Sequence, residues 1–199
     1  MNLRAIPLLV VALSLSPAAQ VQKKAASPQV KVAESDTTIY RNATFGFRYP
    51  ILFGWVDRTK EMQEGSDSSK GEVLLAIFER PPQAAGDTIN SAVVIAAEKA
   101  TTYPDLKKAE DYLGPLTELT KSKGLKQDGD PSEAQIDSQR VVRADFLKAL
   151  NDKVTMHQAT LVLLNKGQIV SFTFIADGLD AVNDLIEGLS FSSPKPKSK

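Results

Sequence analysis

His157 is the first residue to test for chemistry, because it is the only histidine and the chain contains no cysteine. A Ser-His-Asp site would therefore have to use this one side chain. His157 lies inside a predicted strand, and the sequence contains no G-x-S-x-G motif, no P-loop, no G-x-G-x-x-G fingerprint and no H-E-x-x-H pair. We therefore predict that the chain is not an enzyme. A pair of carboxylates brought together by the fold is the one route to acid–base catalysis that the sequence leaves open.

Two acidic segments contain oxygen ligands of the kind that a cation needs. One is the Asp128-Gly129-Asp130-Pro131 segment with Glu133 nearby, and the other is the Ser-rich range 61–71. Neither has the ordered ligand spacing of a calcium-binding loop. We interpret the first as a plain turn and the second as a solvent-exposed loop. The sequence accordingly predicts no metal site and no cofactor.

The charge balance argues against a nucleic-acid partner. Lys+Arg and Asp+Glu both number 24, and the pI is about 6.6. A neutral protein lacks the excess of basic residues that phosphate backbones attract. The absence of cysteine also excludes disulfide bonds, thiol catalysis, cysteine-ligated zinc and a lipid-modified cysteine. The hydrophobic content of 42% is sufficient for one domain with a substantial core.

The N-terminal residues 1–19 have the pattern of a secretory signal peptide. Arg4 precedes an apolar run from Ala5 to Leu15, and Ala18 offers a small residue for cleavage. We predict an exported protein, periplasmic or secreted, with no integral membrane segment in its mature form. An uncleaved N-terminal anchor is the alternative. The rest of the chain divides into a flexible linker, one domain and a disordered basic tail, at residues 20–36, 37–192 and 193–199.

The range 139–191 predicts three strands and a helix. The first strand has an apolar face formed by Val142, Ala144 and Phe146, alternating with Arg143 and Asp145. A second strand at 154–164 and a third at 169–176 are joined by the turn Asn165-Lys166-Gly167. A helix follows from about Gly178 to Leu189, with Asp177 as its predicted N-cap. Its apolar stripe consists of Leu179, Val182, Leu185, Ile186 and Leu189.

Two other strands should be covered on both faces. The ranges 73–78 and 92–97 are nearly continuous apolar runs, whereas a strand with one face in water should alternate. A second helix, from Pro104 to about Lys123 with a kink at Pro115, can cover the other face; two short helices are the alternative. We therefore predict an α+β fold with a central antiparallel sheet and helices on both faces.

Aromatic residues are concentrated between Tyr40 and Trp55. Phe45, Phe47 and Tyr49 have the spacing of one strand face. They could form a ligand platform, or they could fix a hairpin to the core. The loop containing Pro81-Pro82 is a candidate functional loop or a plain surface excursion. The candidate binding surface comprises Tyr40, Phe45, Tyr49, Trp55, Pro81 and Pro82.

The motif Tyr40-x-Asn42…Phe45-Gly46-Phe47-Arg48-Tyr49-Pro50…Gly54-Trp55 resembles the opening of PsbP-like domains. The ending also resembles theirs, with a strand carrying His157-Gln158, a turn at Lys166-Gly167 and a helix closing on Leu189-Ser190-Phe191. This family includes the extrinsic P protein of photosystem II, a nuclear Ran-binding relative and exported bacterial proteins of unknown role. The resemblance, over about residues 37–192, implies an α/β/α sandwich and a non-enzymatic binding or assembly role.

Three functional hypotheses follow, in order of preference. The first is an exported, soluble, non-catalytic domain that binds a protein partner or assembles a complex in the cell envelope. The second is a module that binds a small molecule or a metal ion. The third is a hydrolase that uses carboxylates.

Overall fold

The computed structural model describes residues 38–66, 71–81 and 88–191. Ten strands and three α-helices alternate along these ranges, with 3₁₀ turns at Ala100–Thr102 and Ala109–Tyr112. In chain order the elements are β1 (Thr38–Asn42), β2 (Phe47–Ile51), β3 (Val56–Asp57), α1 (Thr59–Glu64), β4 (Gly71–Phe78), β5 (Ala92–Lys99), α2 (Leu113–Ser122), β6 (Lys126–Ile136), β7 (Gln139–Ala149), β8 (Thr155–Asn165), β9 (Gln168–Ala176), α3 (Leu179–Glu187) and β10 (Ser190–Phe191).

These strands form two antiparallel sheets. The larger has seven strands in the order β3-β4-β5-β9-β8-β7-β6, and the smaller has three in the order β1-β2-β10. The small sheet joins the two ends of the described chain, since Phe47 of β2 lies opposite both Asn42 of β1 and Phe191 of β10. The chain therefore has the sheet-rich α+β fold that the sequence predicts.

Buried apolar side chains form two clusters. One contains Val182, Leu185 and Ile186 of α3 together with Phe172 and Phe174 of β9. The other contains Leu113 and Leu116 of α2 together with alternate residues of β4 and β5. Every residue from Val73 to Phe78 and from Ala92 to Glu98 is buried, which confirms that these runs are covered on both faces.

The short helix α1 protects the outer edge of β4. The strand β3 pairs only with Phe78 and Ile77, so the rest of that edge needs other partners. The Thr59 hydroxyl accepts a hydrogen bond from the Ala76 amide over 2.9 Å, and the Gln63 side-chain amide donates to the Val73 carbonyl over 2.7 Å. Two side chains thus satisfy backbone groups that a neighbouring strand would otherwise bond. The prediction of a loop throughout 61–71 was wrong, because α1 extends to Glu64.

The sequence placed the three strands β7, β8 and β9 and the turn between β8 and β9 correctly. The turn between β8 and β9 has positive φ at both Lys166 (52°) and Gly167 (73°), as a two-residue hairpin loop requires. Val142, Ala144 and Phe146 share a buried face, also as predicted. The opposite face of β7 also contains buried Val141, and its Arg143 and Asp145 are half-buried.

The helices required three corrections. Gly178 occupies the N-cap position of α3 and makes no side-chain bond there, so Asp177 is not the cap. Leu179 of the predicted apolar stripe is 48% exposed. The segment predicted as a helix from Pro104 is helical only from Ala109, because Asp105 adopts a φ of 70°. Pro115 then lies in the first turn of α2, where a missing N–H removes no helix bond, and no kink is needed.

The predicted turn at 128–131 is instead part of the edge strand β6. Its pairing with β7 shifts between Asp128 and Ser132, which marks a bulge. Gly129 (φ 72°) and Pro131 lie within that shift, so both turn-forming residues are accommodated without ending the strand.

Several predictions lie outside the described residues. These are the signal peptide at 1–19, the linker at 20–36 and the basic tail at 193–199. In the described ranges, no helix has the length and apolar composition that crossing a membrane requires.

Candidate functional site

The predicted aromatic surface is mostly turned into the molecule. Phe45 and Tyr49 are buried, whereas Tyr40 and Trp55 are half-buried and pack against the same cluster. The Tyr49 hydroxyl donates to the Leu185 carbonyl of α3 over 2.8 Å, and burial raises the pKa of this hydroxyl. Phe45 and Tyr49 therefore hold the β1–β2 hairpin to the core.

The remainder of the candidate surface differs in exposure. Pro81 is exposed, and Pro82 lies outside the described residues. The surface therefore stays a prediction, now centred on Tyr40, Trp55 and Pro81. The structure adds three exposed apolar side chains near this hairpin: Ile39 on β1, and Leu52 and Phe53 in the turn from β2 to β3.

His157 lies on β8, an inner strand of the large sheet between β7 and β9. Its ring is half-buried on β8, opposite Leu147 and Ala176. Among residues 38–66, 71–81 and 88–191, no three His, Asp or Glu side chains come together as a metal site would need.

A buried carboxylate on β5 is the main polar centre that sequence analysis missed. Glu98 is 5% exposed, and it accepts hydrogen bonds from the hydroxyls of Tyr103 and Tyr112 over 2.5 Å and 2.8 Å. The two rings contact each other edge to face, with centroids 5.1 Å apart. Burial raises the pKa of Glu98, and the two hydroxyl bonds partly oppose that rise. Both tyrosine pKa values are also raised, first by burial.

Gly71, on the neighbouring strand β4, lies directly opposite Glu98. A Cβ added to Gly71 would lie 2.8 Å from Glu98 Cγ and 2.9 Å from the Ala97 carbonyl oxygen. The sheet thus passes too close to Glu98 for any larger residue to fit without a shift. The cluster fixes the segment between β5 and α2 against the sheet, which is a structural role for these groups.

A second polar group connects β7 to α3. Arg143 makes a bidentate ion pair with Asp145, with contacts of 2.8–3.0 Å, and it donates to the Asn183 side-chain oxygen over 3.0 Å. Because Arg143 and Asp145 are two residues apart on a strand, they share one face. The alternation that predicted a wet face therefore identified a face that α3 partly covers.

The two ends of the seven-stranded sheet have opposite character. We define the polar end as the one containing Glu98 and the turns at Asp137-Ser138 and Lys166-Gly167. Hydrogen bonds join separate elements here: Lys166 Nζ to the Thr44 carbonyl over 2.6 Å, and the Phe191 amide to Asp137 Oδ2 over 2.7 Å.

The opposite end presents apolar side chains to water. We define this apolar end by the turn from β2 to β3, the turn from β7 to β8, the corner from β9 to α3 and the start of β1. Val56, Phe78, Ala92 and Ile175 follow one another in neighbouring pairs, and Ile175 is joined through Gln158 to the end of β7, where Ala149 pairs with Thr155. The start of β1 lies at the same end, because Thr38 is opposite Ile51, the last residue of β2. Every large hydrophobic side chain that is exposed in the described chain lies here: Ile39, Leu52, Phe53, Leu150 and Leu179.

The architecture is that of the PsbP-like fold. Cyanobacterial PsbP (CyanoP) from Synechocystis superimposes with a TM-score of 0.52 at 12% sequence identity, covering 83% of this chain and 98% of that protein. At this identity the similarity shows the fold alone, and at that level it confirms the resemblance found in the sequence.

Two more distant similarities have lower scores. LpqN, a protein of Mycobacterium tuberculosis involved in cell envelope biogenesis, gives a TM-score of 0.45 at 16% identity, covering 80% of this chain and 87% of its own. The Ran-binding protein Mog1p of Saccharomyces cerevisiae gives 0.43 at 9% identity, covering 78% of this chain and 95% of its own. No protein-family model matches the chain, and no curated protein matches its sequence.

Proposed function

We propose that this chain is an exported, soluble, non-catalytic binding or assembly domain that engages a protein partner in the cell envelope. We further propose that its domain is an α/β/α sandwich, with α3 on one face of the large sheet and α2 on the other. The signal-peptide pattern of residues 1–19 supports export. The observation that carries the partner proposal is the open edge of β1.

The strand β1 pairs with β2 on one side, and in the described ranges no strand pairs with its other side. Its burial alternates, with Ile39 and Arg41 exposed and Tyr40 half-buried. An extended segment of another protein can add to such an edge, because backbone hydrogen bonds supply affinity and alternate side chains supply specificity.

The other long edges of this protein are protected. The edge strand β6 contains a bulge, Pro131 and several charged residues, all of which discourage pairing with another chain. The outer edge of β4 is occupied by β3 and by the side chains of Thr59 and Gln63. The edge of β1 has neither a proline nor a bulge, so it is the most receptive of the three.

Site-specific photocrosslinking in cells tests the proposal. A crosslinking residue at Arg41, on the exposed face of β1, should capture one partner polypeptide. The same residue at Gln135 on the edge of β6 is the matched control and should capture none. Ile39→Glu should abolish the crosslink from position 41, because an added charge blocks pairing at a sheet edge.

The Ile39→Glu variant should remain folded. Ile39 is exposed, so Ile39→Glu should leave the circular dichroism spectrum and the melting temperature unchanged. Identical crosslinked species from positions 41 and 135, or a crosslink that survives Ile39→Glu, would show that β1 is not the binding edge.

A further inference from the structure

The apolar end of the sheet contains an aromatic side chain in an unusually exposed position. Phe53 is 87% exposed, whereas Trp55, two residues later, packs against the core. The turn between them is closed by a hydrogen bond from the Trp55 amide to the Leu52 carbonyl over 3.1 Å, with Gly54 at a φ of 82°. The backbone therefore holds Phe53 outward, because its neighbours are fixed on both sides.

The other exposed apolar side chains are spread across the same end. Leu150 lies beyond β7, and Leu179 begins α3. Five strand intervals separate β3 from β7, which corresponds to about 24 Å at the usual strand spacing. Separate apolar residues on a broad end fit a flat, fluid apolar medium better than a single pocket in a protein partner, which would enclose one protruding side chain.

The path of the chain gives an independent reason to consider a membrane. Thr38, the first residue of β1, lies opposite Ile51, so the chain enters the domain at the apolar end. The apolar run from Ala5 to Leu15 precedes it, separated by residues 16–37. A flexible segment of that length spans on the order of 25 Å. While the run is in the bilayer, before cleavage or without it, the length of the chain between the run and Thr38 limits how far the apolar end can lie from the lipid.

We propose that the apolar end docks on the surface of a phospholipid bilayer, with Phe53, Leu52 and Leu179 entering the interfacial layer. Aromatic and aliphatic side chains gain free energy when they move from water into that layer. Phe53, Leu52 and Leu179 all lie outside β1, whose edge is the proposed site for a protein partner. Membrane docking and the proposed binding of a protein partner can therefore succeed or fail separately.

The charges at this end determine which lipids it should prefer. Asp177 and Asp180 flank Leu179, and Asp152 with Lys153 follows Leu150; all four charged side chains are exposed. Asp57 with Arg58 and Glu79 with Arg80 also lie at this end, and each of these pairs is balanced in charge. The three aspartates beside Leu150 and Leu179 outnumber the one lysine there, so an anionic surface should repel this end. Docking should accordingly be stronger on zwitterionic than on anionic vesicles.

Trp55 provides the measurement, because it is the only tryptophan in the chain. The full chain is reconstituted into phosphatidylcholine vesicles whose acyl chains are brominated, and quenching of Trp55 fluorescence reports contact with lipid. The wild type should be quenched. In Phe53→Ser the docking equilibrium should fall about tenfold, because one apolar ring is lost from the interface.

Two further variants make the result specific. Ser138→Ala changes an exposed residue at the polar end and should leave quenching at the wild-type level. Asp177→Asn combined with Asp180→Asn should increase quenching in vesicles that contain phosphatidylglycerol, because repulsion is removed. Circular dichroism confirms that each variant is folded.

Three outcomes would overturn membrane docking. The first is a wild-type Trp55 that aqueous acrylamide quenches but brominated lipid does not. The second is equal lipid quenching in the wild type and in Phe53→Ser. The third is a photocrosslink from position 53 to a single polypeptide without any lipid quenching, which would assign this end to a protein interface instead.

Discussion

The two ends of the seven-stranded sheet differ in whether their side chains are bonded within the fold or exposed to water. At the polar end, Glu98 is enclosed by Tyr103 and Tyr112, and the turns bond to neighbouring elements. At the apolar end, Phe53 and Leu179 are exposed to water. Both ends are formed by the same strands, so the difference comes from the connections and not from the sheet.

We therefore expect the polar end to contribute to stability and the apolar end to contribute to binding. A buried carboxylate is tolerated only when its oxygens are bonded, and the polar end satisfies that condition within the domain. Exposed apolar side chains contribute little to folding, because folding does not remove them from water. Substitutions at the polar end should therefore change stability, and substitutions at the apolar end should change binding.

The largest effect should come from the core between the two ends. Phe172 is fully buried and contacts Phe47 and Phe191 edge to face. Phe172→Ala should lower the free energy of unfolding by about 3–5 kcal/mol, measured by urea denaturation. A loss below about 1 kcal/mol would mean that the two sheets do not pack through this ring.

Glu98→Ala should produce the next largest effect. It leaves the hydroxyls of Tyr103 and Tyr112 without their acceptor in a buried site, so the expected loss is about 3 kcal/mol. Glu98→Gln is the matched control and should lose only about 1 kcal/mol, because an amide can bond both hydroxyls. Equal losses in the two variants would contradict the description of the polar end as a satisfied hydrogen-bond cluster.

Alkaline pH should lower the free energy of unfolding, because three tyrosine hydroxyls are buried in the native protein. Burial raises the pKa values of Tyr49, Tyr103 and Tyr112, so above about pH 10 the unfolded chain loses protons that the native chain keeps. Stability should then fall as pH rises, by about 1.4 kcal/mol per pH unit for each hydroxyl. Urea denaturation across this pH range measures the slope, and Tyr49→Phe should reduce it by roughly one third. An unchanged slope in Tyr49→Phe would show that this hydroxyl does not contribute.

Phe53→Ser should have the smallest effect on stability. Because this side chain is almost fully exposed, the free energy of unfolding should change by less than about 0.5 kcal/mol. A thermal melt of the isolated protein is the measurement. A loss above about 1 kcal/mol would mean that Phe53 packs against the domain, and the distinction between the two ends would not hold.

Sequence patterns were sufficient where a segment has one dominant local signal. The apolar runs at 73–78 and 92–97 predicted strands covered on two faces, and the turn at Lys166-Gly167 predicted its hairpin. The helix α3 was predicted from its apolar stripe. Each of these features is specified by residues within a few positions of one another.

The sequence-based predictions failed where the local structure depends on contacts that the neighbouring residues in sequence do not reveal. The helix α1 has one apolar residue, Met62, so no apolar stripe marks it in the sequence, and its side chains bond Val73 and Ala76 of another element. Glu98 ends an apolar run, and nothing nearby in sequence shows that Tyr103 and Tyr112 return to bond it. Leu179 has the right spacing for a buried stripe, yet its position at the start of α3 leaves it exposed.

The candidate surface shows the same division. Aromatic spacing predicted that Phe45, Phe47 and Tyr49 share one strand face. All three are buried in the same cluster, but Phe45 lies in the turn before β2 and only Phe47 and Tyr49 are on the strand. Exposure of Phe53 could not be predicted from spacing, because it depends on a turn whose neighbours are anchored elsewhere in the fold.

The pairing of β2 with β10 has a consequence for how the chain folds during synthesis on the ribosome. The small sheet cannot be completed until Phe191, the last described residue, has been synthesised and pairs with Phe47. Contacts that span almost the whole chain form late, since the intervening loop must close first. The N-terminal hairpin therefore emerges early and becomes fully packed last, which leaves its aromatic rings accessible to a chaperone during that interval.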